Sequence, residues 1–339
     1  MEEANLAFGL SETQLRPILE AATGTPLSRS AVRMRPATQE VPADNSRLLT
    51  FLYAAQDGTP GEVMLFVKRC VWKGRSEAVH YRYLAAQGVP TPRLYGALRE
   101  EGGEEVIFLE SLTEVGFRSD SETEWRSMLS LLARFNACDI APDYVPHLHS
   151  YEQVGNAGGG VWIIGLDANP ATEQVAADLR ACGIKREDLP SLQEAARTLF
   201  AQVAAQPRGL LHQDFMPNNV GWRGRRAEMV VFDLHKNALG PRFADVATYL
   251  ASPDWSDSRA FLDDLSDDGA SRRESLARHY LGEYARFGGP SVSIETFREE
   301  TTALFWMHKV SLLIWMVEQD QQARIRETLD ALRQAHEAD

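Results

Sequence analysis

Apolar and polar positions alternate through the early part of the chain. Leu27 to Met34 and Arg47 to Ala54 read as strands, and after the turn signal Asp57-Gly58-Thr59-Pro60-Gly61 comes a third, Glu62 to Arg69. The spacing predicts a three-strand meander. In the third strand Met64, Phe66 and Lys68 share one face and Val63, Leu65 and Val67 the other, so Lys68 emerges among apolar neighbours. From Glu77 to Ala86 the period turns helical. Glu77, Tyr81 and Leu84 fall on one face, which points Glu77 inward. A lysine on a sheet and a glutamate on the next helix, both turned to one interior, offset each other's cost of burial. The alternative is a lysine that snorkels to water beside a solvated glutamate.

Gly88 to Pro92 ends that helix, Val106 to Leu109 reads as another strand, and Glu110-Ser111-Leu112-Thr113 leaves it. These signals divide the chain into a first lobe over 1–109, a connection over 110–114 and a second lobe over 115–339. The second lobe opens with a helix, because Ser121-Glu122-Thr123-Glu124 is a capping box ahead of the stripe Trp125, Met128, Leu129 and Leu132. Residues 139–190 are irregular. His147 and His149 have no third ligand nearby in sequence, and the glycine run NAGGGVW at 156–162 lacks the strand-to-helix spacing of a phosphate loop. Ser191-Leu192-Gln193-Glu194 caps a further helix running to about Ala205.

Next comes HQDFMPNN, residues 212–219, directly after Gly209-Leu210-Leu211. Imidazole, carboxylate and amide so close to an apolar run are costly unless each is partnered or used. The spacing of Asp214 and Asn219 suits phosphoryl transfer, in which an Asp takes the proton of an attacking hydroxyl and an Asn five residues on holds Mg²⁺. After Asn219 the chain reads Val220-Gly221-Trp222, a basic turn Arg223-Gly224-Arg225-Arg226, and Met229-Val230-Val231-Phe232-Asp233. This is a hairpin that returns Asp233 beside Asn219 as a second hard ligand. Its basic tip reads as solvated surface.

With 35 Lys and Arg against 48 Asp and Glu, the formal charge of −13 speaks against nucleic acid and anionic membranes as partners and welcomes a cationic one. Cys70, Cys138 and Cys182 lie far apart with no metal or redox spacing and read as free thiols in a reducing compartment. The acidic start MEEANLAFGL is unlike a signal peptide, and Ala303 to Val317 is too short for a bilayer and contains His308 and Lys309. A cytoplasmic protein with no membrane contact is expected.

Taken together, HQDFMPNN, the run VVFDLHKNALGPRFADVATYL at 230–250, VKR at 67–69 and SEAVHYRYLAAQGVPTPRLYG at 76–96 resemble, in order and spacing, the aminoglycoside phosphotransferase and choline kinase superfamily. The resemblance runs from about residue 27 to 250. It implies an α+β, two-lobed, protein-kinase-like fold, with a small antiparallel-sheet first lobe carrying one main helix and a larger, mostly helical second lobe. It implies transfer of the γ-phosphate of ATP, with GTP also open, to a hydroxyl of a small molecule. Position by position, Asp214 would be the base, Asn219 and Asp233 the Mg²⁺ ligands, Lys68 the phosphate contact held by Glu77, and the strand exit from Glu110 to Leu112 the adenine-facing segment. His212 and Asp245 would support the loop.

Three departures stand out. Gln213 occupies a place where the family usually has Gly, Leu234 and His235 follow Asp233 where an aromatic and an acid are common, and Arg35 to Ser46 contains no glycine. A silent nucleotide-binding regulator is the rival reading, although the base, both metal ligands, the lysine and the glutamate are all present. A protein kinase would carry Asp-Phe-Gly and Ala-Pro-Glu signals, and this chain has neither. For the acceptor, the acids Asp254, Asp257, Asp263, Asp264, Asp267 and Asp268 and the aromatics Phe305, Trp306 and Trp315 suit a cation. Helical spacing favours a core stripe and a solvated loop instead. Aminoglycoside, amino alcohol and sugar-like acceptors all stay open, as does the oligomeric state.

Overall fold

The structure is a computed structural model that describes residues 8, 10–28, 33–36, 45–70, 75–99, 104–116, 121–151, 189–251 and 267–318. The glycine run, Cys182, the acids at 254–264 and the side chain of Trp315 lie outside the described residues. The chain divides into two compact units, Met1–Phe117 with Met216–His235, and Arg118–Phe215 with Lys236–Asp339.

The first unit is built on an antiparallel sheet ordered β1 (Arg33–Pro36), β2 (Ser46–Ala54), β3 (Pro60–Cys70), β5 (Glu105–Glu110), β4 (Leu94–Arg99). The meander forms as expected over β2 and β3. Its first strand is shorter than the pattern suggested and begins at Arg33, with Leu27 making only a bridge to Ala55. An unforeseen helix, α1 (Glu12–Thr23), precedes it and ends on Gly24 at φ 66°, a left-handed stop that glycine adopts without strain. Leu15, Ile18 and Leu19 of α1 bury against Leu49, Phe51, Leu65, Val67, Val106 and Phe108 of the sheet. That packing occupies the Leu65 and Val67 face. Strand alternation therefore leaves Lys68 for the other face, and there α2 (Glu77–Ala86) supplies its partner.

A second sheet of this unit joins β6 (Glu114–Val115), β9 (Val220–Arg223) and β10 (Glu228–Val231) in the order β10-β9-β6. The hairpin has the register Val220↔Val231 to Arg223↔Glu228, and β6 pairs with β9 through Glu114↔Trp222. Residues 216–235 thus fold with the N-terminal residues, far from them in sequence.

The second unit is mostly helical, with α3 (Glu122–Asn136), α4 (Leu189–Ala204), α5 (Ala244–Ala251), α6 (Asp267–Arg286) and α7 (Ile294–Glu318). Ser121 caps α3 by accepting the N–H of Glu124 at 3.3 Å, and Trp125, Met128, Leu129 and Leu132 are buried. α4 starts at Leu189, two residues ahead of the expected cap at Ser191. Phe243, Tyr280, Tyr284 and Phe297 form an aromatic core, with Phe243 and Phe297 edge to face at 4.9 Å. A small sheet ordered β7 (His149–Ser150), β11 (Ala238–Pro241), β8 (Arg208–Leu211) aligns Ala238 with Leu211. Among the described residues no helix is long and apolar enough to cross a membrane.

Candidate active site

In the first unit the inward face of α2 organises the site. Glu77 takes the Lys68 ammonium on Oε2 at 2.8 Å and the backbone N–H of Leu234 on Oε1 at 3.1 Å, while Cys70 Sγ donates to Oε2 at 3.4 Å. One turn on, the Tyr81 hydroxyl accepts the N–H of Asp233 at 3.2 Å. Two residues at helical spacing therefore fix the backbone at the hairpin exit. Lys68 Nζ also bonds Asp233 Oδ1, and His235 Nδ1 lies 2.7 Å from that same oxygen.

Electrostatics follow from this packing. Burial works against the Lys68 charge, and the carboxylates of Glu77 and Asp233 more than offset it, so its pKa rises above the usual 10.5. Burial likewise opposes ionisation of Asp233. The hydrogen bond with His235 and the Lys68 charge outweigh it and hold the carboxyl well below its usual 3.8. Asp233 stands at φ 64°, a left-handed backbone that aspartate tolerates better than most residues.

Asn219 is buried at the start of the hairpin, and its carbonyl accepts the Phe232 N–H at 3.0 Å. The amide of Asn219 and the carboxylate of Asp233 are hard oxygen donors on adjoining strand ends, and Asp233 is held ionised, so the pair fits a small divalent cation. Glu77, Asp233 and His235 also bring ligand atoms within 4.8 Å of one another, with the Lys68 ammonium bonded to both acids there.

Glu110, at the end of β5, has its carboxylate engaged: Arg223 Nε lies 3.0 and 2.9 Å from its two oxygens, and the Arg93 N–H donates to Oε2 at 3.1 Å. Leu112 packs beside Gly221, where an added Cβ would come within 2.6 Å of Leu112 Cδ1. At the hairpin tip Gly224 and Arg225 are exposed as expected, whereas Arg223 pairs with Glu110 and Glu228, and Arg226 with Glu114.

In the second unit the loop after β8 is held by Asp245. Its Oδ2 accepts the His212 N–H at 2.7 Å and its Oδ1 the Gln213 N–H at 3.0 Å. Asn136 donates to Leu210 O at 2.8 Å and to Asp245 Oδ2 at 3.2 Å, and Tyr280 donates to Asn136 at 3.0 Å. Complete burial pushes the Asp245 pKa up against these donors. His212 has no exposed surface, lies between Phe135 and Phe215 at 5.8 and 5.6 Å, and accepts the Asp214 N–H on Nδ1 at 3.3 Å. Gln213 takes φ 68°, the conformation a glycine would hold without cost.

Lys236 Nζ lies 2.9 Å from Asp214 Oδ2. Sequence reasoning missed this lysine. The β8 and β11 register accounts for it, since Ala238 sits opposite Leu211 and the chains flanking that pair run beside each other.

Residues 73–288 match the model of the phosphotransferase enzyme family. No curated protein sequence matches the chain. Among solved structures, the chain resembles spectinomycin phosphotransferase in complex with ADP and spectinomycin, at 10% identity and TM-score 0.51, covering 95% of this chain and 98% of that one. It also resembles the Plasmodium vivax ethanolamine kinase, at 9% identity and TM-score 0.53, covering 89% and 82%. The two likenesses carry the fold, which is α+β, two-lobed and protein-kinase-like. The family match spans most of the chain, the Asp214 loop and Asp233 included, and by it the protein belongs to the phosphotransferase enzyme family, as a kinase acting on a hydroxyl of a small molecule.

Proposed function

We propose that the enzyme moves the γ-phosphoryl group of ATP, with Mg²⁺, to a hydroxyl of a cationic small molecule in the cytoplasm. The observation that carries this reading is Asp233, kept ionised between Lys68 and His235 while Glu77 and Tyr81 fix its backbone. Asn219 and Asp233 hold the metal, which when bound neutralises phosphate charge. Lys68 meets the α- and β-phosphates, and Glu77 keeps it in place. Residues 110–114 are the connection between nucleotide-binding and acceptor-binding residues, and the backbone from Glu110 to Leu112 faces the adenine.

Asp214 takes the proton of the acceptor hydroxyl as the acceptor oxygen bonds phosphorus and the bond to the leaving ADP oxygen breaks. Lys236 fixes the Asp214 carboxylate through Oδ2, while Asp245 and His212 hold the loop backbone beneath it. The formal charge of −13 favours a cationic acceptor, and an aminoglycoside-like antibiotic or an amino alcohol satisfies that demand.

The test is γ-phosphate transfer from Mg·ATP and Mg·GTP to pooled aminoglycosides, amino alcohols and sugars, read by product mass, with Asp214→Asn as control. A product absent in the control supports the reading and names the acceptor class. Nucleotide binding without any product favours the silent regulator, and near-normal turnover in the control removes Asp214 as base.

A further inference from the structure

The hairpin that carries Asn219 and Asp233 is fastened to segment 110–116 almost residue by residue. Thr113 donates its N–H and its hydroxyl to Trp222 O at 3.2 and 2.9 Å, and the Gly116 N–H donates to Val220 O at 2.8 Å. Gly221 lets the two come close, because a Cβ there would lie 2.8 Å from Glu114 O as well as against Leu112. Arg226 Nε bonds Glu114 Oε2 at 2.7 Å.

Arg223 is the centre of this joint. Its Nε faces both oxygens of Glu110, its Nη2 lies 2.7 Å from Glu110 Oε2 and donates to Thr91 O at 2.6 Å, and its Nη1 pairs with Glu228 across the hairpin. One planar guanidinium thus ties the end of β5, the turn between α2 and β4, and both hairpin strands. A lysine has the charge but not the fork that reaches all of these at once.

We infer that Arg223 is a positioning residue that locks the adenine-facing segment to the metal-bearing hairpin, so that nucleoside affinity and divalent-cation requirement are set together by this one joint. The inference rests on the function proposed above, in which 110–112 faces the base and Asn219 and Asp233 hold the metal. The guanidinium of Arg223 is engaged by Glu110, Thr91 and Glu228, which makes it a positioning residue in this reading. It acts through Glu110, and through the pairing that runs from β9 to Asn219 and from β10 to Asp233.

The test uses the full chain as Arg223→Met, Arg223→Lys and Glu110→Gln. Adenosine binding by calorimetry probes the segment without phosphates, and the Mg²⁺ concentration for half-maximal turnover at saturating ATP probes the hairpin. We expect Arg223→Met to weaken adenosine about tenfold and to raise the Mg²⁺ requirement by a similar factor, with kcat at saturation changed far less. Arg223→Lys should fall between it and the wild type. If either probe stays at its wild-type value while only the unfolding temperature drops, Arg223 is merely structural and the inference fails. Should Arg223→Met not fold, the lysine and Glu110→Gln variants decide by the same two readouts. Failure of the wild type itself to bind adenosine or ATP would overturn the functional reading and the joint with it, an outcome distinct from a variant that binds as the wild type does.

Discussion

Asp214 and Asp233 occupy carboxylate positions with opposite surroundings. Asp233 is held as an anion by two cationic or donating neighbours, which suits a metal ligand, whereas Asp214 is paired with Lys236 on one oxygen and supported through its backbone N–H. Asp214→Asn should lower kcat by about a hundredfold to ten-thousandfold with the unfolding midpoint preserved, measured by steady-state kinetics and thermal denaturation. The left-handed backbone of Gln213 strains any side chain with a Cβ, so Gln213→Gly should stabilise the fold on the order of 1 kcal/mol in denaturant titrations and keep activity. The departure from glycine was legible in the sequence, and so was the spacing of Asp214 and Asn219. Lys236 was not, because its contact depends on a strand pairing that the local pattern around LHKN does not reveal.

α2 matches its expected span because Glu77, Tyr81 and Leu84 do share its inward face, and the hairpin exit does carry Asp233 back beside Asn219. Other elements were missed. α1 contains Pro17 and precedes any recognisable strand, and β4 is half-buried up to the exposed Arg99 with no alternation. Arg223 and Arg226 looked solvated because Glu110 and Glu114, which they bond, lie over a hundred residues upstream, a separation no window of sequence spans. Arg242, just past β11, makes a two-point bond with Glu300 at 2.6 and 3.0 Å, both groups nearly buried. Arg242→Met strands the Glu300 carboxylate and should destabilise the enzyme by about 3 kcal/mol, whereas replacing both by apolar residues should recover much of that loss in the same unfolding assay.

For the whole molecule, the Lys68, Glu77 and Asp233 cluster links β3, α2 and the hairpin exit, and its charge states set a pH window. The Asp233 carboxyl is depressed below 3.8, so its contribution to stability is present above that value and is lost as pH falls through the lower folded-state value. The Lys68 pKa is raised above 10.5, so its contribution is complete below 10.5 and is lost as pH rises through the higher folded-state value. Between the two, stability from this cluster should be flat. Unfolding midpoints measured against pH should fall on the acid side in the wild type and show a shallower acid limb in Asp233→Asn; equal limbs would remove Asp233 from this role.

The chain leaves the first unit near Phe117 and comes back to it at Met216, and this order bears on synthesis. When Glu110 leaves the ribosome, the five strands of the main sheet have been made, yet the arginine that receives its carboxylate is 113 residues away. Until then β6 is an unpaired edge and Glu110 has no guanidinium. A stalled nascent chain ending before the hairpin should therefore be more readily cleaved by protease around 110–116 than one that extends past residue 235. The translating ribosome sets the moment at which the first unit becomes whole.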